Sequence, residues 1–201
     1  FVEQLAKDER LRSLSFQNVK VVPFLGTPGA IQSDSWNTTT YSNTLATKVG
    51  NLLHCASYNL SAPMYVEGTK EKELIESIDE IAKVLHMAET ADIALIGIGS
   101  MQDDSSIIKA EIRTKEEYKE LVRKGAVGEI VGRIYDKNGQ TVDEDLKRKM
   151  VGISLDKIAK IPVRVGMSYG KDKIEAIKGA IAGGLVNVLV TDVPTAELLL
   201  K

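Results

Sequence analysis

Ala91-Asp92-Ile93-Ala94-Leu95-Ile96-Gly97-Ile98-Gly99-Ser100 decides the fold class. The apolar run is short, β-branched and ends in glycines, which predicts a strand buried on both faces of a parallel sheet and stopping at a loop. Just before it, Leu74, Ile75, Ile78, Ile81, Ala82 and Leu85 follow helical spacing, so one covering helix is expected over 70–89, with Lys and Glu outermost. A weak strand over 56–60 precedes that helix, and strand, helix, strand in this order is a parallel crossover unit. Ligands of such sheets collect where strand carboxyl ends meet helix amino ends. Gly97 and Gly99 permit close approach to the backbone there, although Gly-x-Gly after a strand is also an ordinary sharp turn.

Outward from this strand the punctuation is regular. Val19 to Phe24 reads as a strand followed by the glycine-rich turn Leu25-Gly26-Thr27-Pro28-Gly29-Ala30, whose small residues offer N–H groups to an anion. A helix ending at Gly50, with Ser35 or Asp34 as its cap, follows. Thr114-Lys115-Glu116-Glu117 has capping-box spacing and opens a helix reaching Arg123. Gly132 to Val142, with Asp136-Lys137-Asn138-Gly139 at its middle, predicts a hairpin insertion or flap, because Asn-Gly tolerates the positive φ of a tight turn. A short helix over 154–158, a strand over 163–167, a strand-to-helix turn at 168–173, a helix ended by Gly183-Gly184, a strand over 186–191 and a helix over 195–200 complete the chain. The expected class is α/β: a Rossmann-like parallel sheet with helices on both faces and a β-hairpin insertion.

Composition narrows the function classes. A chain of 201 residues buries about 70% of its unfolded surface, enough for one domain without disulfides. The net charge of −2 gives no general attraction to nucleic acid or to an anionic membrane. Cys55 is the one cysteine, which excludes an internal disulfide and a cysteine-based zinc site and fits a reducing, cytoplasmic setting. No apolar run approaches the roughly 20 residues of a membrane helix. Phe1 to Ala6 opens on helical periodicity without a cap, as expected of a domain excised from a longer chain.

Three positions carry candidate chemistry. At Gly170 a strand turns into a helix that bears Lys171 and Lys173, where an anion would meet amides, the helix dipole and an ammonium group; an ordinary solvated lysine is the alternative. Glu129 lies between glycines and an apolar run, either facing the crevice as an acceptor for a sugar hydroxyl or facing water. Asp103-Asp104 lacks the third ligand of a recognisable metal loop, so no metal is expected. His54, His86 and Cys55 read as surface or core residues, and Lys147-Arg148-Lys149, flanked by Asp143, Glu144 and Asp145, as a solvated charge cluster.

Together with the opening stretch, Gly125-Ala126-Val127-Gly128-Glu129-Ile130, Tyr135-Asp136-Lys137-Asn138-Gly139, Gly152-Ile153-Ser154-Leu155 and Asn187-Val188-Leu189-Val190-Thr191-Asp192 resemble the sugar-binding domain of SorC-family bacterial transcriptional regulators. The resemblance covers 19–200. It implies a fold related to phosphosugar isomerases and glucosamine-6-phosphate deaminases, serving as an effector sensor rather than an enzyme and needing no cofactor. It implies a phosphorylated sugar as effector, a homo-oligomer, no membrane partner, and DNA contact only through a helix-turn-helix module outside this chain. The first sensor strand, with its phosphate turn, is expected to precede Phe1, and Tyr169-Gly170 stands where the family carries paired glycines. By this similarity and the crevice argument, Gly26, Thr27, Gly29, Gly99, Glu129, Gly170 and Lys173 are the expected ligand-binding residues. A sugar-phosphate isomerase or deaminase of the same fold, with Glu129 or Asp103 as base, is the alternative, and a nucleotide-binding domain is disfavoured because no strand is followed by Gly-x-Gly-x-x-Gly.

Overall fold

The computed structural model describes residues 2, 7–9, 16–28, 41–102 and 105–201. In chain order the elements are β1 (Lys20–Val21), α1 (Ser42–Leu53), β2 (Ala56–Ser57), α2 (Thr69–Glu76), α3 (Asp79–Glu89), β3 (Ile93–Gly97), β4 (Gly99–Ser100), α4 (Ser106–Lys109) and α5 (Lys115–Arg123). There follow β5 (Ala126–Ile130), β6 (Arg133–Asp136), α6 (Glu144–Lys149), α7 (Leu155–Ile158), β7 (Val163–Met167), a 3-10 turn (Lys171–Lys173), α8 (Ile174–Ala182), β8 (Val188–Val190) and α9 (Val193–Leu199). Strands β3, β7 and β8 form a parallel sheet in that order, β1 and β2 a parallel pair, and β4, β5 and β6 an antiparallel sheet.

The opening stretch divides where its glycines stand. Ile93 to Gly97 pairs residue for residue with Val163 to Met167; the chain then changes sheets at Ile98, and Gly99 and Ser100 pair with Glu129 and Gly128. Ala94 and Ile96 are buried in the main core, which also holds Ala176, Ile177 and Ala180 of α8. The opposite face departs from the expected two-sided burial, since Ile93 and Leu95 remain 58% and 44% exposed. A second core gathers Met64, Ile107, Tyr118, Leu121, Ile134 and Met150 beneath the antiparallel sheet, and a third gathers Leu60, Val66, Ile81, Val84 and Val151 under α3.

Several expected elements are re-cut by local chemistry. The single helix expected over 70–89 is two helices, because Ser77 turns its hydroxyl onto the Leu74 carbonyl (2.7 Å) and Ile78 is extended. Helix α1 runs past Gly50, which lies against Ser57, and ends instead at His54 with φ 50°. The first and last strands are shorter than read: Leu25 and Thr27 make only isolated bridges, and Val186 is spent packing on Gly166.

The expected hairpin is preceded by a second one that shares its first strand. Strands β5 and β6 are joined by Val131 and Gly132, both at positive φ (51° and 65°), the geometry of a two-residue type I′ turn. Asn138-Gly139 forms the expected turn: Asp136 N–H donates to the Gln140 carbonyl (2.9 Å) and Val142 N–H to the Ile134 carbonyl (3.0 Å) on either side of the Tyr135–Thr141 antiparallel bridge, and Gly139 packs onto Gly183. The element is built into the core rather than standing out as a flap, with Tyr135 buried and its hydroxyl donating to the Ala176 carbonyl at 2.9 Å. The expected opening helix, the Ser35 or Asp34 cap and the Asp103-Asp104 pair lie outside the described residues.

Candidate functional site

The two-residue strand β4 is where the sequence-named groups converge. Gly99 sits directly across from Glu129, so close that a Cβ on Gly99 would stand 2.6 Å from Glu129 Cγ. Glycine is therefore what gives the Glu129 side chain its room. Ser105 Oγ donates to Glu129 Oε2 at 2.6 Å and Tyr118 OH donates to the same oxygen at 3.3 Å. Both hydroxyl residues are buried, which fixes the carboxylate from the residue preceding α4 and from α5.

The next residue, Ser100, receives the lysine. Lys173 Nζ donates to Ser100 Oγ at 2.9 Å and lies 3.5 Å from the Asp172 carboxylate, which also accepts from Ser100 Oγ at 3.3 Å. Successive residues of a strand present opposite faces. Glu129 thus comes to β4 from one side and Lys173 from the other, at the edge of the antiparallel sheet. Ile98, the residue of passage between sheets, is fixed by its own N–H to the Met167 carbonyl (3.3 Å) and by Ser168 Oγ on its carbonyl (3.0 Å).

Gly170 shapes the turn that delivers Lys173, with φ 110° and ψ 151°. Its amide is not available to an anion, because it donates to the buried hydroxyl of Thr195 at 2.8 Å. The same holds at the first glycine turn: Gly26 N–H donates to Val151 (3.1 Å) and Thr27 N–H to Ala62 (2.8 Å). Gly26 is a packing position, since a Cβ there would lie 2.5 Å from the Pro63 carbonyl oxygen. At these two turns the Gly170, Gly26 and Thr27 amides are thus taken up within the chain. Gly29 lies outside the described residues.

Thr27 joins a second polar surface instead. Its hydroxyl accepts from Asn43 Nδ2 at 2.9 Å, and Asn43 also clamps the Leu60 backbone through both amide atoms (2.9 and 3.1 Å). Thr27, Tyr41, Asn43, Thr47, Asn59 and Ser61 line an open cleft of about 430 Å³ with hydroxyls and amides and no charge. The named residues thus fall into two groups, Gly99, Glu129, Gly170 and Lys173 around β4 and Gly26 with Thr27 beside this cleft. Among the described residues no three His, Cys, Asp or Glu side chains form a metal-holding group, and no helix is long and apolar enough to cross a membrane.

The Sugar-bind family of sugar-binding domains matches residues 4–201. The chain belongs to this family. Its relatives include the transcriptional regulator LsrR of Escherichia coli O9:H4 (strain HS), 35% identical over 159 residues that make up 77% of this chain and 50% of that protein. LsrR of Enterobacter sp. (strain 638) is 33% identical over 149 residues, 73% of this chain and 46% of that one. The sugar-binding domain described here therefore spans about half the length of the curated relatives it matches. In three dimensions it resembles the full-length sorbitol operon regulator SorC of Klebsiella pneumoniae, with TM-score 0.86, 29% identity, and coverage of 100% of this chain and 63% of that chain. The probable sor operon regulator of Shigella flexneri superposes with TM-score 0.84 and 26% identity, covering 100% and 76%. The resemblance to SorC-family sugar-binding domains read from the sequence is borne out.

Sequence reading overlooked Ser100, Ser105, Tyr118 and Asn43. Ser100 was within reach, as the polar residue that ends the apolar strand. Tyr118 reads only as part of the buried stripe of α5, and its second role depends on a contact no spacing rule encodes.

Proposed function

We propose that this sugar-binding domain is the effector sensor of a sugar-responsive transcriptional regulator, and that the effector is a phosphorylated sugar. The observation that carries this reading is the pair of opposite charges on β4: the Lys173 ammonium at Ser100 and the Glu129 carboxylate at Gly99. A phosphate needs a cation, and sugar hydroxyls need fixed acceptors. The effector straddles the edge strand β4: phosphate oxygens replace Asp172 and Ser100 as partners of Lys173 on one face, while Glu129, held by Ser105 and Tyr118, accepts from a hydroxyl of the sugar on the other.

The sensor acts by population shift: the effector binds one arrangement of subunits in a homo-oligomer better than another, and DNA affinity follows through a helix-turn-helix module outside this chain, in the cytoplasm. Binding without turnover distinguishes this from an isomerase or deaminase of the same fold. The test is thermal unfolding against a panel of sugar phosphates, with a coupled turnover assay on whichever stabilises. An effector at 100 times its Kd adds about 2.7 kcal/mol. Stabilisation without conversion is expected; no stabilisation by any sugar phosphate, or steady conversion of the one that binds, contradicts the reading.

A further inference from the structure

Arg133, at the start of β6, is a buried cation whose hydrogen-bonding capacity is only partly filled. It is 2% exposed, and its Nη2 donates to the Met150 and Gly152 carbonyls at 3.2 and 3.1 Å. Nε and Nη1 are buried and have no partner. Burial lowers its pKa to about 10, so it remains protonated at neutral pH. An unfilled N–H in the interior carries its full desolvation cost, which the attraction of the Glu76 and Asp156 carboxylates offsets only in part, since burial still lowers the pKa.

The residue forms part of the wall of a cleft of about 310 Å³ bounded by α2 and α6. Lys72, Lys147 and Arg148 bring three further cations to it, against the carboxylates of Glu73, Glu76 and Asp156. The cations are only loosely engaged. Lys72 lies 3.6 Å from Glu76, Lys147 3.5 Å from Glu144 and Arg148 4.0 Å from Asp145, each pair within one helix, the first partly covered and the other two open to solvent. Such pairs contribute little and are readily exchanged. Ser154, which also lines the cleft, makes no side-chain capping bond to α7.

We propose that this cleft is a second anion site, separate from β4, in which Arg133 with Lys147 and Arg148 receives the phosphate group of a small phosphorylated molecule or free phosphate. A phosphate oxygen accepts one charge-assisted hydrogen bond from an unfilled N–H of the guanidinium, whose Nη2 stays on the Met150 and Gly152 carbonyls, while Lys147 and Arg148 engage the remaining oxygens. Nε and Nη1 are both screened from solvent, so engagement requires the lining side chains to part. None of the residues lining this cleft belongs to the Lys173 and Glu129 cluster, and the inference does not depend on the sensor reading.

The experiment is a titration with inorganic phosphate and, separately, with glycerol phosphate, following the Arg133 Nε–H resonance by NMR. A saturable shift is expected, with about tenfold weaker binding in the Lys147→Ala/Arg148→Ala double variant and unchanged binding in Lys173→Ala. The tighter of the two titrants tells free phosphate from a phosphate ester. In parallel, Arg133→Met is expected to lose the thermal stabilisation that phosphate gives the unaltered site in a Lys173→Ala background. A resonance that phosphate does not move, or moves only when Lys173 is present, overturns the proposal. If Arg133→Met does not fold, the surface double variant decides: undiminished affinity there overturns it equally.

Discussion

At the scale of single residues, the site is made by what glycine leaves out and what hydroxyls hold. Gly99 has no side chain because Glu129 occupies that space, and Glu129 is held from two sides by Ser105 and Tyr118. Gly99→Ala is expected to turn the Glu129 side chain away, weakening effector binding about tenfold while costing only about 1 kcal/mol of stability. Isothermal titration beside chemical denaturation separates the two effects. Glu129 and Lys173 could be named as candidates from the sequence, Glu129 because it stands between glycines and an apolar run and Lys173 because a lysine at a helix amino end breaks a local preference. Ser105 and Tyr118 could not, since an isolated serine and an aromatic on a helical stripe look the same whether or not they meet a carboxylate. Free amides at Gly26, Thr27 and Gly170 were read wrongly for a related reason. Composition shows that a backbone can come close to something, but not that the something is Val151, Ala62 or Thr195 of the same chain.

At the scale of elements, signals confined to a few neighbouring residues transferred almost unchanged. The Thr114 box is closed as the spacing predicts: Glu117 N–H donates to Thr114 Oγ1 at 3.2 Å, and Thr114 N–H donates to the Glu117 carboxylate at 2.8 Å. Thr114→Ala is expected to destabilise the chain by about 1 kcal/mol in urea unfolding. The amide and hydroxyl of Thr114 hold the Glu117 carboxyl below its ordinary pKa. The stabilisation from that ionised group is therefore complete above the unfolded value of about 4.3 and is lost as pH falls through the folded value. Comparing Glu117→Gln with the unaltered chain should show a stability difference that is constant near neutrality and shrinks on acidification; a difference that grows in acid contradicts the assignment. Longer-range elements were less legible. The break at Ser77 depends on which carbonyl a serine chooses, and the additional hairpin from β5 to β6 places β-branched Val131 at φ 51°, a conformation its type disfavours.

At the scale of the molecule, the alternation along β3 separates the core from the surface. Ile96 is buried in the main core, whereas Leu95, one residue earlier, is 44% exposed on the sheet's other face. Ile96→Ala is expected to cost 2–5 kcal/mol, about the range for emptying a core site, and Leu95→Lys about 0.5 kcal/mol or less, both read from denaturation midpoints. Comparable losses would mean that both faces support the fold equally. The parallel sheet itself was visible in the sequence as glycine-ended apolar runs, but its partition into three separate sheets was not, because pairing is decided by contacts between distant segments. That partition has a functional consequence: the chain's passage from the parallel to the antiparallel sheet at Ile98 sets Gly99 beside Glu129 and Ser100 beside Lys173.

The central claim is that Lys173 reads a phosphate at this edge while Glu129 reads the sugar. It is tested most directly by the affinity ratio between a stabilising sugar phosphate and its unphosphorylated sugar, measured in the unaltered chain and in Lys173→Ala. The account predicts that the ratio collapses by about tenfold or more in the variant, with the affinity for the unphosphorylated sugar nearly unchanged. Equal losses for both ligands would show that the lysine does not read phosphate.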